Sequence, residues 1–81
     1  MGDVAIRYHV MPEGSDTDLN ALKAQLRALG AREIREKPVA FGIKLLDVLF
    51  VLPDKEGPAV EEKIRSIKGV GSVETESITL V

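Results

Sequence analysis

Residues 41–52 read FGIKLLDVLFVL, the most apolar run in the chain. Taken alternately, Leu46, Val48, Phe50 and Leu52 form an unbroken apolar face, and Leu45, Asp47, Leu49 and Val51 form the other. A period of two marks a β-strand. Asp47 marks the second face as the outer one, and a strand this apolar belongs in the middle of a sheet. The fold then depends on what lies beside and over this strand.

VAIRYHV (4–10) alternates in the same way, with Val4, Ile6, Tyr8 and Val10 on one side and Ala5, Arg7 and His9 on the other. This predicts another strand with one buried face, closed by the turn residues of MPEGSD (11–16). In DTDLNALKAQLRALG (16–30), Leu19, Leu22, Leu26 and Leu29 recur at spacings of three, four and three, one helical stripe. Ser15 or Asp16 is the expected cap, Asp16 and Asp18 suit the positive end of the helix dipole, and Gly30 is a natural stop. AREIREKPV (31–39) reads as a short, heavily charged strand, suited to a sheet edge, where Pro38 lacks a donor at little cost. After the turn PDKEGP (53–58), AVEEKIRSIKG (59–69) predicts a second amphipathic helix. Its stripe is Val60, Ile64 and Ile67, with Pro58 in the first turn and Gly69 as the stop. VGSVETESITLV (70–81) is a weaker strand whose alternation breaks near Ser77 and Ile78.

The order is β-α-β-β-α-β. Two one-sided helices need a shared apolar surface, and four strands supply it. The expected fold is therefore an α+β, ferredoxin-like split βαβ sandwich with an antiparallel four-stranded sheet. Its first and third strands are central, and its second and fourth are edges. At 81 residues, one domain spanning 1–81 is expected. The helices cover one sheet face and leave Arg7, His9, Leu45, Asp47, Leu49 and Val51 on the other.

Composition removes whole classes of function. With no cysteine there is no disulfide framework, redox CxxC pair or thiolate metal site. His9, the single histidine, cannot make a His-rich metal centre, and no metal or cofactor is expected. The net charge is −2 and the positive charges are scattered, so no basic stripe is present to neutralise phosphates, and no direct nucleic-acid binding is expected. The aromatics Tyr8, Phe41 and Phe50 are poor material for base stacking, and the exposed central-strand positions hold Arg7, His9, Asp47 and aliphatics. MGDVAIRYHV has no long apolar run, so neither a signal peptide nor a membrane span is expected, and a cytoplasmic location is the default.

Enzyme chemistry finds no support. An acylphosphatase-like site needs a phosphate-cradling loop with a placed arginine and asparagine. MPEGSD is acidic instead, and Asn20 lies within the first helix. His9 lacks an orienting partner in sequence, although Asp47 is a candidate across the sheet. Glu61 and Glu62 are neighbours on a helix and diverge. No catalytic residue is assigned. Leu45, Leu49 and Val51 form an apolar strip on the uncovered face, readable as an association site or as plain strand propensity.

PVAFGIKLLDVLFVLPDKEG (38–57) resembles the corresponding segment of the guanine-nucleotide exchange domain of the translation elongation factor 1-beta family, in which a Phe-Gly-Ile/Leu-Lys motif leads into the third strand. MGDVAIRYHVMPEGSDTDLNALK (1–23) and IKGVGSVE (67–74) are similar to archaeal members. The resemblance covers nearly the whole chain and is most specific over Pro38 to Lys44. It implies a ferredoxin-like fold and no bond-making catalysis. It implies as partner elongation factor 1-alpha, a GTPase bound in its GDP and nucleotide-free forms, from which the family speeds GDP release. It further implies Ala40, Phe41, Gly42 and Lys44 as partner-binding residues, Phe41 as a wedge entering a pocket of the GTPase domain. Gly42 would then let two backbones approach, and Lys44 would help by charge. Eukaryotic members carry a lysine near the C-terminus that reaches towards the Mg²⁺ and phosphates. This sequence has no lysine after Lys68, so that part is not carried over. On the residues alone, Phe41 also reads as a rim-of-core side chain. The other open reading is a small-molecule-binding or dimerising regulatory domain of the same topology.

Overall fold

The computed structural model describes residues 2–14, 16–39 and 42–80. Strands β1 (Asp3–Pro12), β2 (Glu33–Pro38), β3 (Lys44–Pro53) and β4 (Val70–Leu80) alternate with helices α1 (Leu19–Ala28) and α2 (Gly57–Arg65) in the order β1-α1-β2-β3-α2-β4. The sheet order is β2-β3-β1-β4 and every pairing is antiparallel. This is the ferredoxin-like arrangement, with the two most apolar strands in the centre and the charged β2 at one edge.

The alternation seen in the sequence is realised directly. Val4, Ile6, Tyr8 and Val10 of β1 and Leu46, Val48, Phe50 and Leu52 of β3 are all buried, against Leu22 and Leu26 of α1 and Ile64 of α2. The Tyr8 and Phe50 rings meet edge to face, with centroids 5.9 Å apart and planes at 75°, a preferred aromatic geometry. The Tyr8 hydroxyl donates to the Gly57 carbonyl at 3.1 Å, so its one polar atom is satisfied where α2 begins. Burial, with help from the Glu61 charge, pushes the Tyr8 phenol above its ordinary pKa.

Several boundaries differ from expectation. The α1 cap is Asp18, not Asp16. Its carboxylate accepts from the Asn20 and Ala21 N–H groups at 3.0 and 3.2 Å. The residues just before are committed to a turn of their own, in which the Thr17 N–H donates to the Gly14 carbonyl at 3.2 Å. Ser15 lies outside the described residues. β1 continues to Pro12, and PDKEGP contains a 3₁₀ turn at Asp54–Glu56 that runs into α2. β3 begins at Lys44, later than the expected start at Phe41, which lies outside the described residues; just before it the Val39 N–H donates to the Ile43 carbonyl at 2.8 Å.

The break in the β4 alternation has a physical cause. On β1, Arg7 pairs with Ser77 but Tyr8 with Thr75, which leaves Glu76 as an extra residue. Met11 pairs with Ser72 but Pro12 with Val70, which leaves Gly71 extra. β4 thus carries two bulges, the usual device for re-aiming a side chain on an edge strand.

The uncovered sheet face is less apolar to solvent than its sequence suggests. Leu45, Leu49 and Val51 are half-buried. Their cross-strand neighbours include Lys37, Arg7 and Glu33, whose aliphatic stems shield apolar surface. Among the described residues, no helix is long and apolar enough to cross a membrane.

Candidate functional site

The β2–β3 loop stands at one end of the sheet. Its base is the last ladder pair, Pro38 opposite Lys44, and its neck is the Val39–Ile43 hydrogen bond. Val39 and Gly42 are exposed, and Ile43 is half-buried. Of the four sequence-derived contact residues, Ala40 and Phe41 lie outside the described residues. Gly42 has φ +74°, the left-handed region that disfavours a side chain, and a Cβ there would meet nothing within 4 Å. The need for glycine in this chain is therefore conformational: the loop turns back into β3 through a backbone state that other residues adopt only at a cost.

Lys44 is exposed and lies on the helix side of the sheet end, its Nζ 3.7 Å from the Glu36 carboxylate. Glu36 also accepts from Lys23 of α1. The hydrogen bond from Lys23 holds the Glu36 carboxyl below its usual pKa, partly opposed by desolvation and reinforced by the charges of Lys23 and Lys44. These contacts tie α1, β2 and the start of β3 together beside the loop. Pro12, Gly14, Thr17 and Leu19 join Gly42 and Lys44 around a recess of about 230 Å³. The β1–α1 turn therefore forms one surface with the loop. Sequence reasoning missed this neighbour, because nothing local to residues 11–19 reports which end of the sheet they share with residues 39–43.

The uncovered face holds the other polar cluster. Asp47 was expected there as a solvent-facing residue, yet its side chain is only 4% exposed. It is held by Lys37 at 3.1 Å and Arg7 at 3.5 Å. Burial raises the Asp47 pKa, but the Lys37 hydrogen bond and the charges of Lys37, Arg7 and His9 outweigh it, and the carboxyl lies below its ordinary value. His9 pairs directly with Asp47 in the β1–β3 register, while its Nε2 lies 2.8 Å from Glu76 of β4. His9, Asp47 and Glu76 offer three donor atoms within 4.8 Å of one another. Arg7, His9 and Asp47 were legible as one face. Glu76 was missed, although the alternation Val73, Glu74, Thr75 continues to it and places it on the His9 face. A second groove of about 300 Å³, between α2 and β4, is lined by Ile6, Tyr8, Pro58, Glu61, Thr75 and Ile78.

The geometry defines a ferredoxin-like α+β domain that presents a hairpin loop, set by a left-handed glycine, at one end of its sheet. Comparison with known proteins gives the family. Residues 5–81 match the model of the EF-1 guanine nucleotide exchange domain, and the chain belongs to that family. It is 45% identical to an elongation factor 1-beta of Methanosphaerula palustris, covering 99% of each chain. It is 43% identical to that of Methanoculleus marisnigri over 100% of both, and 39% identical to that of Methanothermobacter thermautotrophicus over 96% of both. The family's role is guanine-nucleotide exchange in translation elongation.

Proposed function

We propose that this chain, as one exchange domain, accelerates GDP release from elongation factor 1-alpha and inserts Phe41 into the GTPase as a wedge. The observation that carries the reading is the family match across residues 5–81, which includes the whole of the Pro38–Lys44 hairpin. The loop geometry supports it. Gly42 in the left-handed region and the Val39–Ile43 hydrogen bond restrict the loop before any partner arrives, which lowers the ordering cost of binding.

GDP is held by backbone N–H groups around its phosphates, a lysine and Mg²⁺. An exchange factor must favour the nucleotide-free state over the loaded one. Burying one aromatic side chain is worth on the order of 2–3 kcal/mol. Realised only in the nucleotide-free state, that gives a coupling of tens- to hundredfold. Lys44 and the β1–α1 turn would form the rim around this anchor. The test follows fluorescent GDP leaving purified elongation factor 1-alpha after addition of excess unlabelled GDP. Release should accelerate at least tenfold with micromolar amounts of this chain. Unchanged release at that concentration would sink the proposal.

A further inference from the structure

We infer that His9, Asp47 and Glu76 form a binding site for a divalent d-block cation, Zn²⁺ being the best match, on the uncovered sheet face. The three residues come from three adjacent strands, β1, β3 and β4. Their donor atoms lie within 4.8 Å of one another. At bond lengths near 2.1 Å and tetrahedral angles, neighbouring donors around Zn²⁺ stand about 3.4 Å apart. Small rotations of His9 and Glu76, both partly exposed, bridge the difference.

One further observation points to a ligand. His9 Nε2 is cut off from solvent and has no aligned hydrogen-bond partner among the described residues. The Glu76 oxygen is 2.8 Å away but out of line for a hydrogen bond. A buried ring nitrogen in this condition is unusual, and a metal would use the lone pair that hydrogen bonding leaves idle. The register that sets Glu74 opposite His9 also keeps Glu76, two residues on, on the same sheet face.

The charges around the site also favour a cation. The β1–β4 register sets Glu74 opposite His9 on the same face. Asp47, Glu74 and Glu76 therefore surround one imidazole, while Arg7 and Lys37 are the cations that reach Asp47. Arg35, opposite Asp47 on β2, is paired with Glu33, so these two cancel, and three carboxylates against the two cations that reach Asp47 leave a net negative site before a metal enters. Lys37 takes one Asp47 oxygen at 3.1 Å and Arg7 donates to the other at 3.5 Å, so a metal on this second oxygen would compete with the longer, weaker of the two contacts. One imidazole with carboxylates suits Zn²⁺ or Mn²⁺, and Zn²⁺ is the tighter binder of the two by the general affinity order. Bound there, it would clip the edge strand β4 to both central strands.

The sequence makes the test clean. With no cysteine and a single histidine, any imidazole–metal signal from tag-free protein belongs to His9. Calorimetric titration with Zn²⁺ should give one site per chain. Co²⁺ should give visible absorption bands of a low-coordinate site, and the His9 ring resonances should shift. His9→Gln and Glu76→Gln should each weaken binding by about 10- to 100-fold. Both residues are partly exposed, so both variants should fold, as checked by circular dichroism. Absence of Zn²⁺ binding at about 0.1 mM, where a useful site would be filled, overturns the inference. Binding that survives His9→Gln unchanged overturns it equally, since the metal would then sit elsewhere.

Discussion

At Gly42 the backbone and the proposed role can be separated by one methyl group. The position has φ +74° with open space around a built Cβ, so Gly42→Ala creates no clash and meets only the left-handed penalty. That penalty is about 1–2 kcal/mol, a Tm loss of roughly 4–8 °C for each kilocalorie in a domain of this size. If the loop relaxes instead, Tm changes less and stimulated GDP release should fall, because the proposed Phe41 contact loses its backbone setting. Thermal melting and the exchange assay read the two effects separately. Glu36 makes a pH-dependent prediction. Its carboxyl is held below the ordinary value chiefly by the Lys23 hydrogen bond, so the stabilisation is present above the unfolded pKa and is lost as pH falls through the lower folded one. Glu36→Gln should thus melt slightly below the parent near neutral pH, and the gap should close below about pH 4. Asp47 shows what single residues conceal. Its residue type identified the outer face correctly, but its burial depends on Lys37, a residue of another strand whose distance only the register sets.

Strands and helices were legible wherever one face is apolar and the period is regular, as in β1, β3 and the leucine stripe of α1. Edge strand β4 was legible as a strand but not in its course, because bulges leave little trace in a pattern of mostly exposed residues. The broken alternation near Ser77 was their only sign, and it falls one position after the extra residue, Glu76. The other bulge residue, Gly71, is needed for space. A Cβ there would lie 2.9 Å from the Pro12 carbonyl oxygen and 3.2 Å from the Glu13 Cα. Both are backbone atoms of the β1 end, where no side chain can turn aside. Gly71→Ala should cost about 1–3 kcal/mol, the range for overpacking. Urea denaturation should show a lower midpoint with an unchanged slope, since the surface exposed on unfolding stays the same. A midpoint equal to that of the parent would mean that the β1–β4 ladder ends before this close approach.

For the whole molecule, the four-stranded topology was accessible because its two most apolar strands can only be central, whereas the proposed site was accessible only through its resemblance. Phe41 by composition alone is one aromatic among three, and no periodicity assigns it to a partner. Two measurements on the intact complex decide its role. Phe41→Ala should slow stimulated GDP release by at least tenfold and move Tm by no more than a few degrees, because a wedge that serves the partner contributes little to the domain's own core. A large Tm loss with normal exchange would return Phe41 to the rim of the core. The second measurement rests on linkage. If this chain weakens GDP binding by a given factor, GDP must weaken the chain's own binding by that same factor. Affinity for elongation factor 1-alpha, measured with and without saturating GDP, should therefore differ by tens- to hundredfold, equal within error to the ratio of GDP affinities with and without the chain. Phe41→Ala should shrink both ratios together. Equal affinity for the loaded and empty GTPase would leave no free energy to drive release, however tightly the two proteins bind.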